Sequence, residues 1–242
     1  MAALRTTSAP DSALVRAVRS ALADAGNPEK AAGQQRYMKS VMPYRGLTSP
    51  ELRVLLRPLL ADASLAPASR EAWEADVRAL WDDAAYREER YAALALTGHR
   101  AARAWQDPHS LGVYRHLVET GAWWDYVDVV AADRVGPILL RHRVFVTPMM
   151  RAYAVDEHLW VRRTAILAQL KHREETDLDL LCDVIDANLE ESRYGSEFFI
   201  RKAIGWALRQ HARVEPEWVR GFVEARGDRL SGLSRREALK HL

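Results

Sequence analysis

Cysteine is nearly absent. Cys182 is the only one in 242 residues, which excludes an internal disulfide framework and any all-cysteine metal site. No stretch approaches the roughly 18 consecutive apolar residues of a membrane span. The N-terminus, MAALRTTSAP, has no apolar signal-peptide core. Period-2 alternation and β-branched runs are scarce, which argues against sheet. There is no glycine-rich phosphate loop, and histidines such as His99, His109, His116 and His158 share no ligand spacing. Neither a metal nor an organic cofactor is therefore expected. Net charge is only +2, which alone says nothing about a polyanionic partner. These exclusions leave an intracellular, cytoplasmic protein, with Cys182 a core thiol and residues 1–10 a flexible leader.

The residues that are abundant are those of helices. Asn27-Pro28-Glu29, Ser49-Pro50-Glu51, Asp107-Pro108 and Thr147-Pro148 each place a capping residue before a proline at the first helical position. Gly26, Gly98, Gly121 and Gly227 stand where helices would stop. These signals predict an all-α chain of about a dozen helices. Two segments look alike: Trp160-Val161-Arg162-Arg163-Thr164-Ala165-Ile166 and Phe199-Ile200-Arg201-Lys202-Ala203-Ile204-Gly205, 39 residues apart. That spacing is close to the roughly 40–47-residue period of HEAT-type helical hairpins. Residues 11–242 are accordingly expected to form one array of HEAT-like helix pairs, a curved solenoid that binds a partner on its concave face. The C-terminal part is basic: from Arg201 to Leu242 ten Lys/Arg stand against five Asp/Glu. Such an excess marks either a polyanion footprint or solvated helix faces.

Helical rotation of about 100° per residue separates core from non-core positions. In GAWWDYVDVV, Trp123, Tyr126, Val127 and Val130 share one stripe, while Trp124 and Asp128 lie together outside it. In the Phe198–His211 segment Ile200, Ala203, Ile204 and Ala207 form the stripe, and Trp206 falls elsewhere, near Lys202 and Arg209. In the Trp160–Leu170 segment Arg162 joins Gln169 on the polar side, and Arg163 falls on the apolar side, where a guanidinium needs a carboxylate or a ligand. Structural alternatives stand beside each reading. The tryptophans could be covered by neighbouring helices, Arg163 could be an internal rung to an adjacent repeat, and the aspartates could favour a helix N-terminus. An aromatic among cations also suits a nucleic-acid backbone.

The strings YMKSVMPYRGLTSPELR, WWDYVDVV, LWVRRTAILAQLK, EFFIRKAIGWALR and LSRREALKHL, in order from Tyr37 to Leu242, resemble the AlkD-like DNA alkylation repair glycosylases, which are built of HEAT-like repeats. The resemblance implies excision of cationic N3- or N7-alkylated purines from duplex DNA without need of a base-flipping pocket, by a soluble, monomeric, nucleoid-associated protein. Carried over by motif, Trp124 and Asp128 match the first tryptophan-aspartate pair and Trp206 the second tryptophan, a catalytic set. Tyr37, Lys39, Arg163, Lys171, Lys202, Arg209 and Arg235 match positions expected to contact DNA. The segment from Ala66 to Arg103 matches nothing in the resemblance.

A cationic alkylpurine is a good leaving group and needs little acid assistance. The sugar left behind is electron-poor, and a fixed carboxylate at Asp128 would stabilise it and orient water. Trp124 and Trp206 would offer π-density to the same cation. Tolerance of bulky adducts is an extension of this reading. The rival expectation is a non-catalytic HEAT-repeat scaffold for DNA or protein.

Overall fold

The computed structural model describes residues 10–242, and every regular element among them is helical. The expected leader falls outside these residues except for Pro10. The chain divides into two compact units, residues up to Ala104 and Trp105–Leu242.

The first unit holds α1 (Ala13–Asp24), α2 (Pro28–Met38), α3 (Ser49–Ala61), α4 (Arg70–Asp82) and α5 (Arg87–Thr97). Amphipathic periodicity builds it: α1 buries Leu14, Val15, Val18 and Leu22 against α3, α4 and α5. The caps follow the sequence closely. Asn27 accepts from the Lys30 N–H ahead of Pro28, and Thr48 with Glu51 forms a reciprocal capping box, so Ser49 is the first helical residue rather than the cap. Between α2 and α3 the chain loops back over α5. The fully buried Glu88 carboxylate fastens that loop by accepting from the N–H groups of Arg45 (2.9 Å), Gly46 (2.9 Å) and Leu47 (3.3 Å).

The second unit holds α6 (Leu111–Gly121), α7 (Trp124–Val130), α8 (Gly136–Arg141), α9 (Arg143–Ala154), α10 (Leu159–Leu167), α11 (Leu178–Asp186), α12 (Phe198–His211), α13 (Pro216–Arg226) and α14 (Gly232–Ala238). Each packs chiefly on its near neighbours in sequence, as in a helical repeat. The two look-alike segments are α10 and the start of α12. They pack on each other, and their leading aromatics Trp160 and Phe199 sit with ring centroids 4.9 Å apart. α7 and α8 are one rod, interrupted by a π-helical segment Ala131–Val135 whose closing bond runs from the Gly136 N–H back to the Ala131 carbonyl.

Several expectations are corrected here. Thr147-Pro148 does not open a helix, because Pro148 lies inside α9. The ring removes a helix bond to the Val144 carbonyl, a loss placed near the start of the helix at a residue that is 83% exposed. Gly121 is the last residue of α6, and the left-handed turn falls on Ala122 (φ 42°). Arg162 and Gln169 are buried, not on a polar face. Arg162 donates to the Asp156 carbonyl (2.6 Å), the Val155 carbonyl (3.1 Å) and Asn188 Oδ1 (3.4 Å), closing off the C-terminal end of α9. Cys182, expected in the core, is half-buried on α11 beside Arg226, and burial pushes its thiol up from the ordinary range.

Glycine decides one close contact in this unit. A Cβ on Gly205 of α12 would meet the Glu237 Cβ at 2.5 Å and the Ser234 carbonyl at 3.0 Å. The bare backbone lets α14 lie against α12, where the buried Ser234 hydroxyl donates to the Arg201 carbonyl (2.9 Å). Gly205→Ala should push α14 outward and cost about 1–3 kcal/mol, read as a lower midpoint in denaturant unfolding.

No described helix is long and apolar enough to cross a membrane.

Candidate functional site

Trp123 is the N-cap of α7 in extended conformation (φ −149°, ψ 145°), so the helix proper begins at Trp124. The two tryptophans therefore diverge. The Trp123 ring packs on Trp160 (6.1 Å) and Phe199 (5.6 Å), joining α7 to α10 and α12. Trp124, on the first turn, stays 37% exposed. One turn on, Asp128 shares its face.

These two residues border an open pocket of about 380 Å³. Its remaining wall is Arg163 from α10, Lys202, Trp206 and Arg209 from α12, the aromatic pair Phe198 and Phe199, and Glu237 from α14. The pocket thus gathers Trp124, Asp128, Arg163, Lys202, Trp206 and Arg209, six of the ten candidate residues. Lys171 and Arg235 are in the same unit but line no part of it. Lys171 pairs with Asp133, and Arg235 lies 3.5 Å from Asp228. Tyr37, 79% exposed on α2, and Lys39, the left-handed C-cap of that helix, belong to the first unit.

Asp128 is held from one side by Arg163. The guanidinium donates through Nε to Oδ1 (2.7 Å) and through Nη2 to Oδ2 (2.8 Å), and its third arm donates to the Phe199 carbonyl. This two-pronged geometry leaves the carboxylate little rotational freedom. Arg163 is 5% exposed in this pair and Asp128 14%. Burial raises the Asp128 carboxyl above the ordinary aspartate range. Arg163 pulls the other way without cancelling the rise, and Asp125 adds to it.

The opposite wall is a cation pair with a single acid between. Glu237 accepts from Lys202 Nζ (2.8 Å) and from Arg209, and the Lys202 hydrogen bond holds its carboxyl below the ordinary glutamate range. The sequence reading missed Glu237. Its only advance signal was its place in the Arg-Glu-Ala string near the C-terminus, because the pairing depends on α14 reaching α12 across Gly205.

The pocket therefore offers a fixed carboxylate, two π-faces and a cationic wall, and no group of His, Cys, Asp and Glu side chains among the described residues could hold a metal ion. A positively charged or charge-developing centre fits against Asp128, and an anionic chain fits along Lys202 and Arg209. The model of the family described as DNA alkylation repair enzyme matches residues 18–242. The chain belongs to that family. A similar solved structure, described as a predicted DNA alkylation repair enzyme from Enterococcus faecalis, shares 31% identity at a TM-score of 0.78, covering 90% of this chain and 96% of that one. No curated protein matches the chain. Family membership covers both compact units, and the pocket residues all fall within the matched span.

Proposed function

We propose that the protein is a monofunctional DNA glycosylase that hydrolyses the N-glycosidic bond of cationic N3- or N7-alkylated purines in duplex DNA. The observation that carries this reading is the clamped Asp128 carboxylate in a pocket shared with Trp124 and Trp206. As the charged base departs with the bonding electrons, positive charge grows at C1′ of the sugar. A carboxylate already oriented needs no rearrangement to stabilise that charge, and its low-dielectric setting strengthens the interaction. The same oxygen edge can take a proton from the attacking water. Trp124 and Trp206 contribute the negative faces of their rings. The base leaves as a neutral molecule, so no general acid is required.

Lys202 and Arg209 would hold phosphates, with Tyr37, Lys39, Arg163, Lys171 and Arg235 as further contacts expected from the resemblance. Arg163 is the least available of these, since each of its three guanidinium nitrogens already donates to an acceptor. An open pocket with no closed chamber for an extruded base supports recognition along the backbone and tolerance of bulky adducts. The chain would act as a monomer in the cytoplasm, at the nucleoid, on a HEAT-like frame.

The test is base release from duplex DNA carrying a single N7-methylguanine, followed against time for wild type and for a Trp124→Ala, Trp206→Ala double variant. Release by wild type and its loss in the variant are expected. Salt-dependent duplex binding with no release of methylated or bulky purines would overturn the reading and leave a scaffold.

Glu237 gives a separate prediction. It holds Lys202 and Arg209 away from a free ligand, so Glu237→Gln should tighten binding to undamaged duplex by about threefold to tenfold and steepen its salt dependence. A fluorescence titration at two salt concentrations reads both.

A further inference from the structure

The functional face of α12 does not end at the Trp124 pocket. Lys202, Trp206 and Arg209 line that pocket, and steps of four and three residues keep them on one line along the helix. Four residues further, the same line reaches Arg213. The backbone carries this phase past the last helical residue. Ala212 is still right-handed (φ −57°, ψ −18°), and the Arg213 N–H donates back to the Gln210 carbonyl (3.3 Å). About one turn, roughly 6 Å along the axis, separates Arg213 from Arg209.

The two arginines differ in what they hold. Arg209 is tied to Glu237, whereas Arg213 is exposed and carries no ion pair among the described residues. Arg173 matches it from the neighbouring helix. It follows the end of α10 and lines one cavity together with Arg213 and Lys171. It too is exposed, with no ion pair among the described residues. Its backbone is left-handed (φ 54°), uncommon for a residue bearing a side chain. Glu174 is the only acid lining this cavity, so the net charge there is positive. Cations near helix C-termini are expected on electrostatic grounds. Those grounds account for a charge at each helix end, but not for the alignment of Arg213 with the pocket side chains.

We propose that Arg173 and Arg213 hold phosphates of the duplex beyond the pocket, extending the cationic track of Lys202 and Arg209 past the reacting sugar. The inference rests on the reading of duplex DNA as the ligand. Neither arginine lines the pocket of Asp128, so both act on affinity and leave the chemical step alone. Neither has an internal ion pair to break when it takes a phosphate, and a guanidinium fork matches phosphate oxygens in pairs.

The experiment compares wild type with an Arg173→Gln, Arg213→Gln double variant in titrations of undamaged duplex at several salt concentrations. Both positions are exposed, so the fold should be kept. Each lost phosphate contact should reduce the slope of log affinity against log salt by about one, and the pair by about two. Affinity should fall about tenfold or more at physiological salt. Single-turnover base release at saturating lesion duplex should stay within about twofold of wild type. An Arg151→Gln, Arg220→Gln double variant removes the same charge from exposed positions on α9 and α13, and should leave the slope in place. Four results would each overturn the proposal: no duplex binding by wild type, an unchanged slope in the Arg173, Arg213 variant, an equal loss of slope in the Arg151, Arg220 variant, or a saturating rate that falls as far as the affinity. Absence of base release by wild type would count against the glycosylase reading alone, since affinity and slope are read on undamaged duplex.

Discussion

Asp128→Asn should slow release of N7-methylguanine from duplex DNA by about 10²- to 10³-fold, the usual loss when one preorganised electrostatic partner of a transition state is removed. Asparagine keeps the shape and one acceptor for Arg163, so duplex affinity should hardly move. Single-turnover release and an equilibrium titration separate the two effects. Equal release by the variant would remove Asp128 from the chemistry. The pH profile gives a second handle. Asp128 must be ionised to act, and burial places its carboxyl above the ordinary aspartate range. Release should therefore fall as pH drops, along a limb that lies above the ordinary aspartate pKa. Asp125 contributes to that rise, so Asp125→Asn should move the limb toward lower pH. In Asp128→Asn the limb should vanish from whatever activity remains.

Arg163→Ala is expected to be the most destabilising single change in the pocket. It strips a largely buried carboxylate of both its hydrogen bonds and removes the added contact to the Phe199 carbonyl. Breaking one side of a buried pair costs about 3–5 kcal/mol, which for a chain of this size lowers the melting temperature by about 6–20 °C. Without the guanidinium the Asp128 carboxyl should rise further, so the acid limb of the activity profile moves toward higher pH. Arg163→Lys would keep the charge but lose the two-pronged fork, and only part of the effect should be recovered. The paired replacement Asp128→Leu with Arg163→Met should regain most of the stability of the single Arg163 variant while having no base release. Arg162→Ala is the informative comparison. Its guanidinium serves the end of α9, so it should also destabilise, yet leave the acid limb in place. An unchanged limb in Arg163→Ala would mean that the guanidinium does not govern the Asp128 charge.

These expectations show where sequence and structure part. Asparagine, serine, threonine and proline at helix starts announce the helices directly, because capping is a local interaction satisfied within three residues. Trp124, Asp128 and Trp206 stand out because each breaks the apolar stripe of its own helix, and the structure brings all three to one pocket. Arg162 and Gln169 were misread because rotation assumes a single covered face. α10 lies between α9, α11 and α12, and all its residues from Trp160 to Leu167 are buried. The Glu237 bridge arises where distant segments meet, and no spacing within either segment encodes such a meeting. Thr147-Pro148 misled for the opposite reason: a strong local signal was overridden because Val146 and Met150 fill the core on either side.

The π-helical segment between α7 and α8 has a consequence for how this chain tolerates length changes. One wider turn absorbs one additional residue and advances the rest of the rod by about 100°. Upstream of it the phase is set by Asp128 facing the pocket. Downstream it is set by Gly136, whose missing Cβ would lie 2.4 Å from the Ala168 carbonyl. Removing a single residue from Ala131–Val135 would restore a regular helix and put these two phases out of step, so that either the carboxylate or the packing against α10 must turn away. A deletion here should be tolerated far worse than one of equal length in the loop before α12, where no helix carries a phase from one side to the other.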